Sequence, residues 1–321
     1  MKRRGEKENW KMTTSEDTSD SFFQSNQAPS DFLETESKLV EFVKYQHDVC
    51  KRAVCLVTSG GTTVPLEVNT VRFVDNFSAG TRGSASAEYF LAAGYAVVFL
   101  HRDKSLMPFS RHVDTLELLQ SMNLQDDGTI SLSSRTSGAL KPIVERSKEF
   151  SCNLLCIKFT SLTSYLWLLK LSSQVLSSVS SGERRSLLYL AAAVSDFYIP
   201  SVELPEHKIQ SSEGPPTVKL QLVPKMLRPL VSQWASNCFV VSFKLETDPE
   251  ILIAKSRAAL EKYGHSLVIG NILNTRKREV VFVDRNSTEK LELSSEELEA
   301  GAEIEEKIIK KLVSLNVNLQ S

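Results

Sequence analysis

"LVTSGGTTVPLEVNTVRFVDNFSAGTRGSASAEYFLAAGY", residues 56–95, decides how the rest of the chain is read. It opens inside an apolar run, 53–57, with the length and continuous hydrophobicity of a strand buried on both faces. Gly60 and Gly61 follow at once. A nucleotide-binding unit would begin its helix there. Instead, small and apolar side chains at helical spacing return only at 83–93, with Gly94 as the stop. The next apolar run, 96–100, is a second strand, so the expected geometry is a right-handed parallel crossover. The stretched loop between holds Arg72, Asp75 and Asn76 and closes on Ser78, Gly80 and Gly83.

The pattern continues outward in both directions. A helix is expected from Asp31, with Phe32, Leu39, Val40, Val43 and Val49 at roughly helical spacing. Downstream, 154–159 reads as a strand, 162–179 as an apolar helix, and 187–194 as a buried strand running into Ser195 and Asp196. Residues 218–223 alternate as a strand, and 239–243 is another. Thr247-Asp248-Pro249-Glu250 is a helix start, with a capping side chain, proline in the first turn and then an acid. That helix reaches about Tyr263, and the strand 267–270 ends in Asn271. Residues 280–283 and 290–293 form a hairpin around Asp284-Arg285-Asn286, and a last helix starts at Ser294, with Glu297 completing a capping box. The expected class is α/β: a Rossmann-like, mostly parallel central sheet with helices on both faces and a small β-hairpin. One domain spans 31–315. Within it 103–150 is weakly patterned and reads as an insertion or variable region over the site. Residues 1–30, polar and without periodicity, read as a disordered tail, and 316–321 as a C-terminal tail.

Bulk composition narrows the function classes. Lysine plus arginine number 38 against 39 aspartate plus glutamate, a net charge of -1 that argues against a dedicated nucleic-acid binder. No run of apolar residues is long enough to span a membrane, and the N-terminus lacks the apolar core of a secretory signal. Five cysteines, an odd number in a long chain, read as reduced thiols of a cytoplasmic protein, in the cytosol or nucleus. Cys152 and Cys156 are four apart, but no histidine or second cysteine pair completes a zinc site, and no metal ligand set is legible.

In a doubly wound fold, ligands bind outside the carboxyl ends of the strands. Four such ends carry suitable residues: Thr58 to Thr62 after the first strand, Ser195-Asp196-Phe197, Lys244 to Thr247, and Asn271. Gly60 and Gly61 admit close approach of a ligand, though a lone Gly-Gly is more often an ordinary turn. Ser78, Gly80 and Gly83 precede a helix whose free N–H groups favour anions, or else form a cap with a close-packing glycine. Arg72 is either a solvated surface arginine or a clamp for phosphate or carboxylate. Asn76 either turns the chain or holds an oxygen as charge develops on it. Asp196 caps a turn or accepts from a substrate hydroxyl or amide. Lys208, behind a Pro-bounded segment, is a surface charge or a phosphate ligand.

Some rivals fail by absence. None of the thirteen glycines precedes a lysine, as a P-loop requires. None of the seven tyrosines has a lysine four residues on, the pair expected of a short-chain dehydrogenase, and no HExxH occurs. A nucleotide-type site without a nucleophile or general base suits a reaction run by positioning and charge neutralisation.

SGGTTVPLE, VRFVDNFSAGTRG, LAAAVSDFY, HKIQS, SFKLETD and IGNIL occur in this order, and together they resemble the motifs of the phosphopantothenate–cysteine ligases of the free-standing eukaryotic kind. The likeness covers about residues 40 to 312. It implies ligation of 4'-phosphopantothenate and L-cysteine in coenzyme A synthesis, through an acyl-nucleotidylate made from ATP or CTP with magnesium and release of pyrophosphate. It implies that Gly60, Ser78, Gly80, Gly83, Phe243, Lys244 and Asn271 meet the nucleotide, and that Asn76, Ala192, Ala193 and Asp196 hold phosphopantothenate. It further implies a homodimer in which Arg72 reaches the neighbouring subunit's substrate. Lys208 neutralises charge during activation, and Asn76 orients the acyl intermediate. Bacterial relatives carry a lysine cluster where this chain has only Lys208, which leaves the division of labour between Lys208 and Lys244 open. The alternatives are a nicotinamide-dependent Rossmann-fold oxidoreductase and a non-catalytic homologue that keeps the pocket.

Overall fold

A computed structural model describes residues 15–182 and 184–318. Its centre is an eight-stranded sheet. In chain order the strands are β1 (Val54–Ser59), β2 (Ala96–Arg102), β3 (Leu154–Phe159), β4 (Leu187–Leu190), β5 (Phe239–Glu246), β6 (Leu267–Ile272), β7 (Glu279–Val283) and β8 (Thr288–Glu292). The spatial order is β8-β7-β6-β5-β4-β1-β2-β3. The first six strands are parallel, and β7 and β8 add on antiparallel as a hairpin. Strands one to six thus run 3-2-1-4-5-6, the doubly wound order of dinucleotide-binding folds. The order reverses between β1 and β4, so the crevice outside their carboxyl ends is where a ligand is expected.

The apolar runs of the sequence become strands because both sheet faces are covered. Along β1, Val54 and Leu56 pack into one core and Cys55 and Val57 into the other. The first core is closed by α1 (Ser15–Ser25), α2 (Phe32–Lys44) and α4 (Leu162–Val179); the second by α3 (Thr81–Ala92) and α6 (Ile304–Asn318). The helix α5 (Pro249–Tyr263) lies between β5 and β6 in sequence, capped by the Asp248 side chain as its local sequence predicts. Among the described residues no helix is long and apolar enough to cross a membrane.

Several sequence expectations are corrected. The segment read as a disordered tail contains α1, whose Phe22 and Phe23 are buried against Tyr198, Trp167 and Trp234. Two adjacent aromatics in a polar stretch carry no period, but they are enough to anchor one helix once a groove is available. Strand β4 ends at Leu190 rather than 194, because residues 191–193 leave the sheet to bridge the glycine loop. Of 218–223 only Gln221–Leu222 pairs, antiparallel to Phe197–Tyr198, closing a long excursion over 199–220. The capping box at Ser294 is present, but its helix stops after Glu299, and Gly301 at φ 76° redirects the chain into α6. Residues 316–321 are no separate tail at their start: Asn316 lies inside α6, bonded to the Tyr95 hydroxyl and the Arg185 carbonyl. Asn271 lies within β6 rather than after it. Residues 103–150 are the crossover from β2 to β3, holding a short helix, a hairpin and the helix Ser134–Glu149, all with no buried residue.

Candidate active site

The loops after β1 and β4 are stitched together at the switch point. Ala193 N donates to the Gly60 carbonyl at 2.8 Å and Thr62 N to the Ala193 carbonyl at 3.1 Å. The hydroxyls of Thr58 and Thr62 accept from Ala192 N and Ser195 N, at 3.1 and 3.0 Å. Asn76 is drawn into the same cluster, its N–H donating to the Thr62 carbonyl at 3.1 Å. Glycine at 61 is a requirement of this packing, since a Cβ there would lie 1.7 Å from the Asn76 carbonyl oxygen. The space beside the glycine loop is therefore filled by the chain itself. A ligand would meet the backbone and the Asn76 amide group, which makes no hydrogen bond among the described residues.

The start of α3 abuts the end of β1 as closely. A Cβ at Gly83 would meet the Ser59 side chain at 2.4 Å. Gly80 is the N-cap at φ 83°, a left-handed conformation that favours glycine, and no side chain caps the helix. The Ser59 hydroxyl donates to the Gly80 carbonyl at 3.1 Å, and the Ser78 hydroxyl accepts from Gly80 N at 3.3 Å. The uncapped first turn leaves its N–H groups, with the positive end of the helix dipole, directed at the switch-point crevice. Such a helix start favours an anion.

Further along the sheet, Phe243 and Asn271 share one face, because Phe243 pairs with Ile269 and Leu245 with Asn271 in parallel register. The Phe243 ring stands edge-on to Tyr189 at 4.9 Å and lies under the Arg82 guanidinium at 5.8 Å. Arg82 also holds Glu305 at 2.9 Å. Asn271 is buried, and its Oδ1 has no hydrogen-bond partner among the described residues. An orphaned buried acceptor is costly unless a ligand supplies a donor; the exocyclic amine of adenine or cytosine would do so. Lys244, adjacent in sequence to Phe243, points to the opposite face, where it pairs with Glu246 at 3.3 Å. The structure therefore brings Gly60, Asn76, Ser78, Gly80, Gly83, Ala192 and Ala193 together, and sets Phe243 with Asn271, but does not bring Lys244 to them.

The loops that carry Arg72 and Lys208 are neighbours. The segment carrying Lys208 runs beside the loop 66–72, with Val68 N and Asn69 N donating to the carbonyls of Pro205 and Glu206 at 2.9 and 3.1 Å. Arg72 Nη1 donates to the Ile209 carbonyl at 3.2 Å and to Glu67 at 2.9 Å. Asp196 is largely exposed and 3.3 Å from Lys225. Three charged residues went unnoticed in the sequence as parts of the site: Lys225, Glu67, and Arg102, which ends β2 and holds Asp75 at 2.6 Å. Only the strand-end position of Arg102 could have flagged it. No three His, Cys, Asp or Glu residues converge on a possible metal position among the described residues.

Comparison with known proteins follows this geometry. The human phosphopantothenate–cysteine ligase is 47% identical over 82% of this chain and 86% of its own length. The chain belongs to the phosphopantothenate–cysteine ligase family. The Saccharomyces cerevisiae ligase CAB2 is 43% identical over 82% of this chain and 76% of its own. The structure of a Cab2 mutant in complex with phosphopantothenate-cysteine superposes with a TM-score of 0.81 at 38% identity, covering 92% of this chain and 97% of that one. A family model described as the C-terminal domain of DNA/pantothenate metabolism flavoprotein matches residues 170–315. The family match and the doubly wound order of the sheet agree with the resemblance carried by the six motifs.

Proposed function

We propose that this protein joins the carboxylate of 4'-phosphopantothenate to the amine of L-cysteine in coenzyme A synthesis, through an acyl-nucleotidylate formed from ATP or CTP with release of pyrophosphate. The observation that carries the proposal is the stitched crevice at the β1–β4 switch point. There an uncapped helix start, the free Asn76 amide and the Ala192–Ala193 backbone meet. In this scheme the phosphates lie against the first turn of α3, and the base lies near Phe243 with its amine on Asn271 Oδ1. The substrate carboxylate attacks the α-phosphorus and expels pyrophosphate; the cysteine amine then attacks the acyl carbon and expels the nucleoside monophosphate. Asn76 donates to the oxygen that gains charge, and Lys208 neutralises charge in the first step. The described residues offer no preformed cage for Mg2+. The ion would then accompany the triphosphate, as is common for Mg2+, and no step is derived through it.

The scheme needs no thiol of the protein, because the reacting thiol belongs to the cysteine substrate. Burial pushes Cys55 well above the usual thiol range and Cys238 up to about 11, so neither is a thiolate at neutral pH. The free thiols agree with residence in the cytosol. Exposed Val68, Val71, Phe73, Val74 and Phe77 on and after the Arg72 hairpin suit a face covered by a second copy, with Arg72 serving the partner's substrate. The deciding assay is pyrophosphate release with ATP or CTP. Release that requires phosphopantothenate, followed by cysteine-dependent amide formation, is expected. Pyrophosphate release without that requirement, or none with either nucleotide, defeats the scheme.

A further inference from the structure

Glu67 is the feature that the ligation scheme leaves unexplained. It is a carboxylate with a completely buried side chain at the rim of the site, held by the 71–72 turn, whose arginine in turn reaches a segment far away in sequence. Oε2 accepts from the backbone N–H groups of Val71 at 3.3 Å and Arg72 at 3.0 Å. Oε1 accepts from Arg72 Nη1 at 2.9 Å. The same guanidinium donates to the Ile209 carbonyl, 137 residues away, so the carboxylate is linked to that loop through the arginine. Ile209 is the immediate neighbour of Lys208, and the Glu206, His207 and Lys208 side chains are exposed. Little packing therefore fixes this segment. Its remaining ties are the bonds to Val68 and Asn69, the hairpin at its base, a Ser201–Ser25 bond at 2.9 Å and a Gln221–Glu203 bond at 2.6 Å.

We propose that Glu67 is a positioning residue that, through Arg72, binds the Arg72 loop and the Lys208 segment into one unit, so that the two cations keep a fixed place relative to each other. The proposal rests on the scheme above, because it takes Arg72 and Lys208 as the groups that meet substrate. Glu67 itself touches neither substrate nor reacting atoms; it acts through the two residues it holds. A buried carboxylate satisfied by several N–H groups and one arginine is a stiff junction, and removing one partner leaves the others unsatisfied. Misplacement of a charged group by about 1 Å costs on the order of a hundredfold in rate.

The test uses the full chain, with Glu67→Gln as an isosteric variant lacking the charge and Glu67→Asp as one that keeps the charge but is too short to hold the 71–72 N–H groups and the Arg72 guanidinium at once. Trypsin cleavage after Lys208 under native conditions reads the segment directly, without any activity. It should accelerate about tenfold in either variant while the melting temperature stays within a few degrees, because cleavage tracks local opening. Ligation turnover should fall about tenfold to a hundredfold. In a Lys208→Ala background, adding Glu67→Gln should cost no more than about twofold further, since residues acting through one another are not additive. Unchanged cleavage, full additivity with Lys208→Ala, or failure of both variants to fold would each overturn the proposal. A fully active Lys208→Ala protein whose segment still opens in Glu67→Gln would instead refute the role given to Lys208 and leave the junction standing.

Discussion

Glu67 and Glu88 are both buried carboxylates that accept from backbone N–H groups and an arginine, but Glu67 lies on the stretched loop before α3 and Glu88 within the helix. Glu88 lies in mid-helix. It accepts from Phe109 N at 2.8 Å, from Arg111 at 2.7 Å and from His112 at 2.9 Å. Arg111 in turn holds Glu303 just before α6. Burial works to raise the Glu88 carboxyl, but bonds from Arg111, His112 and Phe109 outweigh it and hold it low. The Arg72 N–H is the chief cause of the depressed Glu67 carboxyl. The difference lies in what each pair holds. Glu88 ties α3 to the 109–112 turn and, through Arg111, to the residue before α6, whereas Glu67, through Arg72, ties two loops that carry exposed cations. The same chemistry serves rigidity in one place and placement in the other.

The sharpest contrast comes from breaking the interior pair. Glu88→Ala leaves Arg111 buried beside one remaining carboxylate and should cost about 3–5 kcal/mol in urea unfolding. A loss as small as that of a surface substitution would erase the distinction. At the site, the reverse is expected. Asn76→Asp should retain its melting temperature but lose about a hundredfold to a thousandfold in amide formation, because a carboxylate there repels the phosphate and the developing oxyanion. Near-normal turnover by the folded variant would remove Asn76 from the reaction.

Acid should probe the interior before the carboxylates titrate. His265 is buried, bonded to Ser242 at 2.8 Å, and burial lowers its pKa to about 4. Folded, it binds fewer protons than the unfolded chain between about pH 4 and 6.5, so stability rises with pH across that window. It is fully present above 6.5 and is lost as pH falls toward 4, by up to about 3 kcal/mol. The His265→Gln protein should lack this step, and a step of unchanged size would reassign it to another group. The depressed carboxyls of Glu67 and Glu88 add to stability above their unfolded range near 4.5, and that share is lost only at lower pH. Next in size, Phe23→Ala should cost about 3 kcal/mol, since its ring packs on Trp167 and Trp234 under Lys170. No measurable loss would return residues 15–25 to the status of a dispensable tail. Smallest of all, Lys38→Ala breaks only an exposed pair with Glu34 on α2 and should leave the melting curve unchanged.

Much of the fold was legible because a doubly wound sheet writes itself into local pattern. β3, α4 and α5 fall where apolar runs and capping residues put them, since both faces of the sheet must be covered and these two helices start on the side-chain caps Ser161 and Asp248. Gly60 and Asn271 were singled out from their places at strand ends for the same reason, whereas Ala193 came only from the resemblance to the family. What local pattern could not show is what depends on distant partners. Two phenylalanines at 22 and 23 mean nothing until a groove of tryptophans exists. Strand β4 stops at Leu190 only because Gly60 and Thr62 draw residues 191–193 out of the sheet.

From sequence alone come the alternation of strands and helices, the glycine pair after the first strand and the six motifs of the family, because each is set by neighbours within a few residues. Tertiary structure decides which face Lys244 occupies, how Asn271 is left with an unanswered acceptor, and that Glu67 joins Arg72 to the Lys208 segment. Those facts depend on strand register and on contacts more than a hundred residues apart in the chain, and buried polar groups acquire their partners only once the layers have closed.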